Sequence, residues 1–323
     1  MEAQQQTTDN AALVQLIERV QEQIHRVIVG QDSMVELLLA GLLADGHILI
    51  EGVPGVAKTL TAKLLAKLIN AQFSRIQFTP DLMPSDVIGT SVFNPQTTSF
   101  QFKPGPVFAN MILIDEINRA PAKTQAALFE VMEERQVTVD GQTHLMHPPF
   151  MVVATQNPIE HEGTYRLPEA QLDRFLMKLV IGYPSLEEEM RILEMHNRET
   201  TADMLAEIGP VVSKEALAAA RAQIRQIHIE PRLLGYLAKI IWETRNDRSL
   251  YIGASPRASI ALMNVAKAIS VLRGRDFVIP EDITFAAPHV LRHRISLTPE
   301  KEMEGLTTDD VLKEIIARIE IPR

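Results

Sequence analysis

The hydrophobic pattern divides the chain in two. Up to about residue 183, short runs of four or five residues alternate with stretches of helical periodicity. Apolar runs fall at 47–50, 111–114, 150–154 and 177–181, the length and composition of buried strands, and 74–78 reads as a further strand. Between them, apolar residues recur at three- and four-residue spacing. Leu13, Leu16, Ile17, Val20 and Ile24 predict a helix over 11–26, and Leu60, Leu64, Leu65 and Leu68 predict another. Further helices are predicted over 32–44, 121–134 and 168–174, with a helix entry at 81–86. The first ten residues, MEAQQQTTDN, carry no such pattern and are expected to fray. Two hairpins interrupt the alternation. One lies near 91–102 around Asn94-Pro95, the other near 137–145 around the Asp140-Gly141 turn. Beyond Gly182-Tyr183-Pro184 strand signals fade, and helices are predicted over 186–197, 214–226, 231–245, 256–273, 280–290 and 308–319. Ser213, Pro231, Ser255-Pro256 and Pro280 mark starts. The pattern therefore predicts an α/β fold, a three-layer αβα parallel-sheet core over 1–183 followed by an all-helical domain over 184–323.

The chemistry gathers where predicted strands end, the edge at which open parallel sheets bind ligands. After the run 47–50 comes a glycine-bearing turn, Gly52-Val53-Pro54-Gly55-Val56-Ala57, then Lys58-Thr59 and the helix opened by Leu60. Strand, loop, Lys-Thr and helix N-terminus form a phosphate cradle. Backbone N–H groups and the helix dipole face the anion, Lys58 adds a point charge, and the Thr59 hydroxyl can hold Mg²⁺. The usual pattern has glycine before the lysine; Ala57 stands there, and it is expected to take right-handed helical angles. Asp115-Glu116 and Asn157 also follow strand ends. The first can hold the cation, the second can serve as general base for an attacking water, and Asn157 can orient that water. Read singly, the acidic pair could equally cap the next helix, and an Asn-Pro pair is commonly a turn. Arg174 and Arg257 are candidate cations for a γ-phosphate; the plainer reading of Arg174 is a helix-terminal arginine paired with a nearby carboxylate. His289 and His293 lie four apart on a helix, a metal-ligand spacing with no evident third ligand.

Composition narrows the classes. Without cysteine, thiolate chemistry, disulfides and cysteine zinc sites are excluded. No apolar run reaches transmembrane length and no signal-peptide pattern opens the chain, so a cytoplasmic protein is expected, without membrane insertion. A net charge of −9 argues against a nucleic-acid surface.

The strings DEINRAPAKTQAALFEVMEERQVTVDG, ATQNPIEHEGTYRLPEAQLDRF and GASPRA resemble the MoxR family of AAA+ ATPases, and the resemblance extends over nearly the whole chain. That family's loop similarly ends Ala-Lys-Thr. The resemblance implies an AAA+ core with a helical lid domain, and ATP and Mg²⁺ as cofactor and metal. Lys58 and Thr59 would be the Walker A pair, Asp115 and Glu116 the Walker B pair, Asn157 sensor 1, Arg174 the arginine finger, and Arg257 sensor 2, through which bound ATP would close the lid. The segment 27–31, with Val29 and Gly30, would lie against the adenine, and the hairpins would be the helix-2 and pre-sensor-1 inserts. Arg166 stands where the family usually has proline and leaves a second arginine near the finger. The implied function is chaperone-like remodelling or maturation of partner proteins, some with von Willebrand A domains, by a homo-oligomer, expected to be a hexameric ring. The alternatives are a nucleic-acid motor and a chelatase-like subunit. Motors carry Lys or Arg at the hairpin tips, and 91–102 and 137–145 hold none.

Overall fold

The computed structural model describes residues 2–53, 55–157, 165 and 167–322, with side chains from residue 13 onward. Two sequence expectations, Pro54 in the loop and Arg166 beside the finger, lie outside the described residues. The chain opens with α1 (Glu2–His25) and α2 (Asp32–Leu43), then β1 (Ile48–Gly52), α3 (Lys58–Leu68) and β2 (Phe73–Gln77). The short α4 (Pro84–Ile88) leads into the hairpin β3 (Gly89–Asn94) and β4 (Ser99–Pro104). Next come β5 (Met111–Asp115), α5 (Ala122–Glu134), the hairpin β6 (Gln136–Val139) and β7 (Gln142–Leu145), β8 (Met151–Gln156), α6 (Glu169–Leu172) and β9 (Met177–Ile181). The helix α1 starts at Glu2, so the expected fraying of the first ten residues is corrected: Gln, Glu and Ala carry the helix without a breaker.

Five strands form one parallel sheet in the order β2-β5-β8-β1-β9. Alternation along each strand divides it between two cores. Ile48, Ile50, Leu113 and Val153 join the apolar cluster of α1, α2 and α3, whereas Leu49, Ile112, Ile114, Val152 and Ala154 join that of α5. Burial on both faces explains why these strands read as unbroken apolar runs.

Both inserted hairpins form, slightly longer than expected. Met146 N–H donates to Arg135 O and closes the base of β6–β7, and Asp140-Gly141 makes its turn with both φ values positive. The hairpins touch each other. Ser91 Oγ donates to Asp140, and the Phe102 ring stacks on His144 at 4.2 Å. On β3–β4, Phe93 and Phe100 meet edge to face near the tip, and Phe100 is 72% exposed. Lys103 sits at the base of β4, away from that tip.

After β9 follow α7 (Leu186–Arg198), α8 (Thr201–Glu207), α9 (Lys214–Arg225), α10 (Pro231–Asn246), β10 (Leu250–Ile252), α11 (Pro256–Leu272), α12 (Pro280–Leu291), β11 (Ser296–Leu297), α13 (Pro299–Met303) and α14 (Thr308–Arg318). This region is helical but not wholly so, because β10 and β11 pair antiparallel. Three- and two-residue strands give no period-2 signal, so the sequence could not reveal them. Residues of α9, α10, α11 and α12 join the same apolar cluster as α1, α2 and α3, which packs the helical part onto one face of the sheet. Of the histidine pair, His293 is buried and its Nε2 donates to Phe175 O at 2.9 Å, while His289 lies against the Phe285 ring.

Candidate functional site

The loop after β1 is built by backbone constraint. A Cβ on Gly52 would lie 2.6 Å from Ile181 O, so only glycine lets β1 and β9 run together there. Gly55 makes the turn at φ +87, and nothing stands within 4 Å of where its Cβ would be, leaving that side of the loop open. Val53, Thr59 and Leu60 are half-buried and Val56 is buried. Ala57 departs from expectation: its φ of 58 and ψ of 15 are left-handed. The loop needs this reversal to turn into α3, and for alanine it costs about 1–2 kcal/mol that glycine avoids. Lys58 Nζ donates to Gly52 O at 2.7 Å, folding back over the loop. Burial lowers the Lys58 pKa, while Asp115 and Glu116 pull it the other way, so ammonium and carboxylates share one field.

The carboxylates hang from the end of β5. Thr155 on the adjacent β8 ties them together: its hydroxyl donates to Asp115 Oδ1 at 3.3 Å and accepts the Glu116 N–H at 3.1 Å. Glu116 has left-handed angles, φ 57 and ψ 52, uncommon for a non-glycine residue. Arg75 Nε donates to Asp115 Oδ2 at 2.6 Å, and Gln77 Nε2 donates to Glu116 Oε2 at 2.8 Å. Arg119 lies 3.2 Å from the same Glu116 oxygen. Asn157, half-buried, follows β8 at the same edge. The loop, the acidic pair and Asn157 thus converge as expected.

The segment 27–31 reaches this edge through β9. Gln31 Nε2 donates to Gly182 O at 3.4 Å, and Gly30, at φ +67, packs so closely on Glu188 that a Cβ would fall 2.2 Å from the carboxylate. Val29 is half-buried beside it. Glu188 caps α7, and the Ser185 N–H and hydroxyl hold its carboxyl below the usual range.

The arginines lie elsewhere. Arg174 comes three residues before β9 begins, and its guanidinium donates to Phe129 O on α5. The expected carboxylate partner is not its own; Asp173 beside it pairs with Arg294 at 2.7 Å. Arg257, on the first turn of α11, is 3.6 Å from Glu133 near the end of α5. The end of α5 is fixed next to the start of β1, because His47 Nε2 donates to Met132 O at 3.1 Å. Both arginines therefore stand at the amino-terminal edge of the sheet. The phosphate loop is at the other edge, a five-residue strand or about 16 Å away. Within one chain Arg257 does not close onto that loop, and this corrects the expectation that ATP draws the lid shut through it.

The donor set at the loop edge fits a nucleotide with a hard divalent cation. Thr59 and Asp115 offer oxygen ligands only, and the open side of Gly55 leaves room for phosphates. Sequence reasoning missed Arg75, Gln77, Arg119 and Thr155. A signal existed for the first two, which are polar at alternate positions of a strand whose intervening Ile76 is buried.

Residues 47–177 match the ATPase family associated with various cellular activities (AAA), and residues 243–315 match the AAA lid domain. The chain is 47% identical to the uncharacterized protein YeaC of Bacillus subtilis (strain 168), with 95% of each covered. It is 44% identical to Chaperone MoxR1 of Mycobacterium tuberculosis (strain ATCC 25618 / H37Rv), with 97% of this chain and 84% of that protein covered. A solved structure from Cytophaga hutchinsonii ATCC 33406 superposes at TM-score 0.92 with 42% identity, covering 100% of both chains.

Proposed function

The chain belongs to the MoxR family of AAA+ ATPases, and we propose that it uses ATP hydrolysis to remodel or mature partner proteins as a head-to-tail ring, with six as the expected subunit number. One observation carries this reading. The groups suited to bind and cleave a phosphoanhydride sit at one edge of the sheet, and the cations suited to stabilise its transition state sit at the other. A surface in which one edge faces the opposite edge of the next copy is heterologous, and it forms a ring when the rotation between copies closes. The name of Chaperone MoxR1 supports a protein partner, and clients with von Willebrand A domains are the proposed class.

In this mechanism the loop N–H groups of residues 55–59 and the Lys58 ammonium receive the phosphates, and the segment 27–31 flanks the base. Thr59 and Asp115 would hold Mg²⁺, which supplies charge neutralisation at the phosphate oxygens. Glu116 takes a proton from the attacking water, and Asn157 orients that water through its amide. Arg174 and Arg257 reach the γ-phosphate of the neighbouring subunit and balance the charge that builds there. Glu116→Gln is expected to retain ATP binding while turnover falls by about 10²–10⁴-fold. Fluorescent-nucleotide binding and phosphate release measured side by side test this, and turnover at the wild-type rate would remove Glu116 as the base.

A further inference from the structure

Both carboxylates at the end of β5 are held from one side by one strand. The edge strand β2 runs parallel to β5 with Gln77 opposite Asp115. Arg75 and Gln77 occupy alternate positions and so share a face. Packing does not call for either residue: Ile76 between them is buried, while both of them are exposed. An exposed arginine has water on most sides, yet Arg75 spends its Nε–H on Asp115 Oδ2 at 2.6 Å, and that aspartate side chain is only 14% exposed. A carboxylate has two oxygens, and here Thr155 uses the other. A divalent cation approaching Asp115 meets a guanidinium already on its ligand, and two such charges repel at close range.

We propose that Arg75 is a positioning residue for the cation ligand. It holds Asp115 through Oδ2 and competes with the cation for that oxygen, while Gln77 holds Glu116 alongside. This inference rests on reading the edge as an ATP site. It also gives β2 a second consequence, because the segment after the strand runs through Leu82, whose carbonyl accepts from Thr124 on α5, into α4 and the hairpin β3–β4. The strand that holds the carboxylates is thus followed directly in the chain by the exposed aromatic hairpin.

The test is the Mg²⁺ dependence of binding, read separately from turnover. A fluorescent ATP analogue is titrated onto wild type, Arg75→Gln and Arg75→Lys, first in EDTA and then over a series of Mg²⁺ concentrations. Affinity in EDTA is expected to be the same in all three. The half-saturating Mg²⁺ concentration should fall about two- to fivefold in Arg75→Gln, the range set by an ion pair whose arginine is half exposed. Arg75→Lys, which keeps the charge, should stay near wild type. If Arg75→Gln melts well below wild type, Arg75→Met, which keeps the aliphatic stem, carries the same measurement. Unchanged or weaker Mg²⁺ dependence in the uncharged variant, with nucleotide still bound, overturns the proposal. Nucleotide binding that survives intact in Lys58→Ala instead overturns the reading of the site itself, so the two failures are distinguishable.

Discussion

The two edges of the sheet differ in kind. At the carboxyl-terminal edge the working groups are backbone N–H groups, one lysine and two carboxylates, on loops held open by Gly52 and Gly55. At the amino-terminal edge they are arginines secured by a helix, with Arg174 on the Phe129 carbonyl and Arg257 beside Glu133. Two buried histidines brace that edge, His47 on Met132 O and His293 on Phe175 O. One edge is shaped to receive an anion and the other to present cations, yet in a single chain they face apart. On the proposed reading these are two halves of one site, and its chemistry would depend on how copies meet.

The sharpest way to break this contrast is to remove the cation and restore it from another copy. Arg174→Ala is expected to lower turnover by about 10³–10⁵-fold. Mixing it with Glu116→Gln subunits should recover part of the rate, because some interfaces then pair an intact finger with an intact base. No recovery at any mixing ratio would mean that the two edges never meet.

Acid should distinguish the edges next. Burial lowers the His47 pKa to about 4 and that of His293 well below its ordinary 6.5. Both are neutral when folded, and the unfolded chain takes up protons first as pH drops. Their stabilising contribution is therefore complete above pH 6.5 and declines below it, by roughly 1.4 kcal/mol per pH unit for each histidine, or about 3 kcal/mol for His47 by pH 4. Urea titrations at pH 7.5 and 5.5 should show the loss, and hydrogen exchange should place the first opening at the arginine edge. Equal stability at the two pH values would deny the histidines this role.

The smallest effect belongs to the loop edge. Ala57→Gly relieves a left-handed alanine and should stabilise the nucleotide-free protein by about 1 kcal/mol, visible as a rise in melting temperature. A lower melting temperature would show that the methyl group packs more usefully than its backbone strain costs.

Much of the loop edge was legible in the sequence because it depends on local order. A buried strand is an apolar run, and the residue after it must stand at the carboxyl-terminal edge; that rule placed Asp115, Glu116 and Asn157 there, beside the Lys58 of the glycine loop. The arginine edge was less legible. Arg174 and Arg257 are far apart in sequence and come together only because both meet α5, which no periodicity reports. The clamp from Arg75 and Gln77 depends on the register of β2 against β5, a pairing that joins residues about 40 apart. Ala57 misled for another reason. The identity of a residue limits its backbone angles but does not choose among them, and here the demands of the loop overrode alanine's preference.

The helix α5 starts six residues after Glu116, secures Arg174 at its Phe129 carbonyl and faces Arg257 from Glu133 near its end. It is 13 residues long, and a straight rod of that size spans about 20 Å. On the proposed reading, its start would lie by its own subunit's phosphate and its later turns would hold the arginines lent to the neighbour. In a closed ring such a rod is a vector. Every subunit would report to the same side, so news of a spent nucleotide would travel around the circle in one rotational sense, with a direction already written in the fold of a single chain.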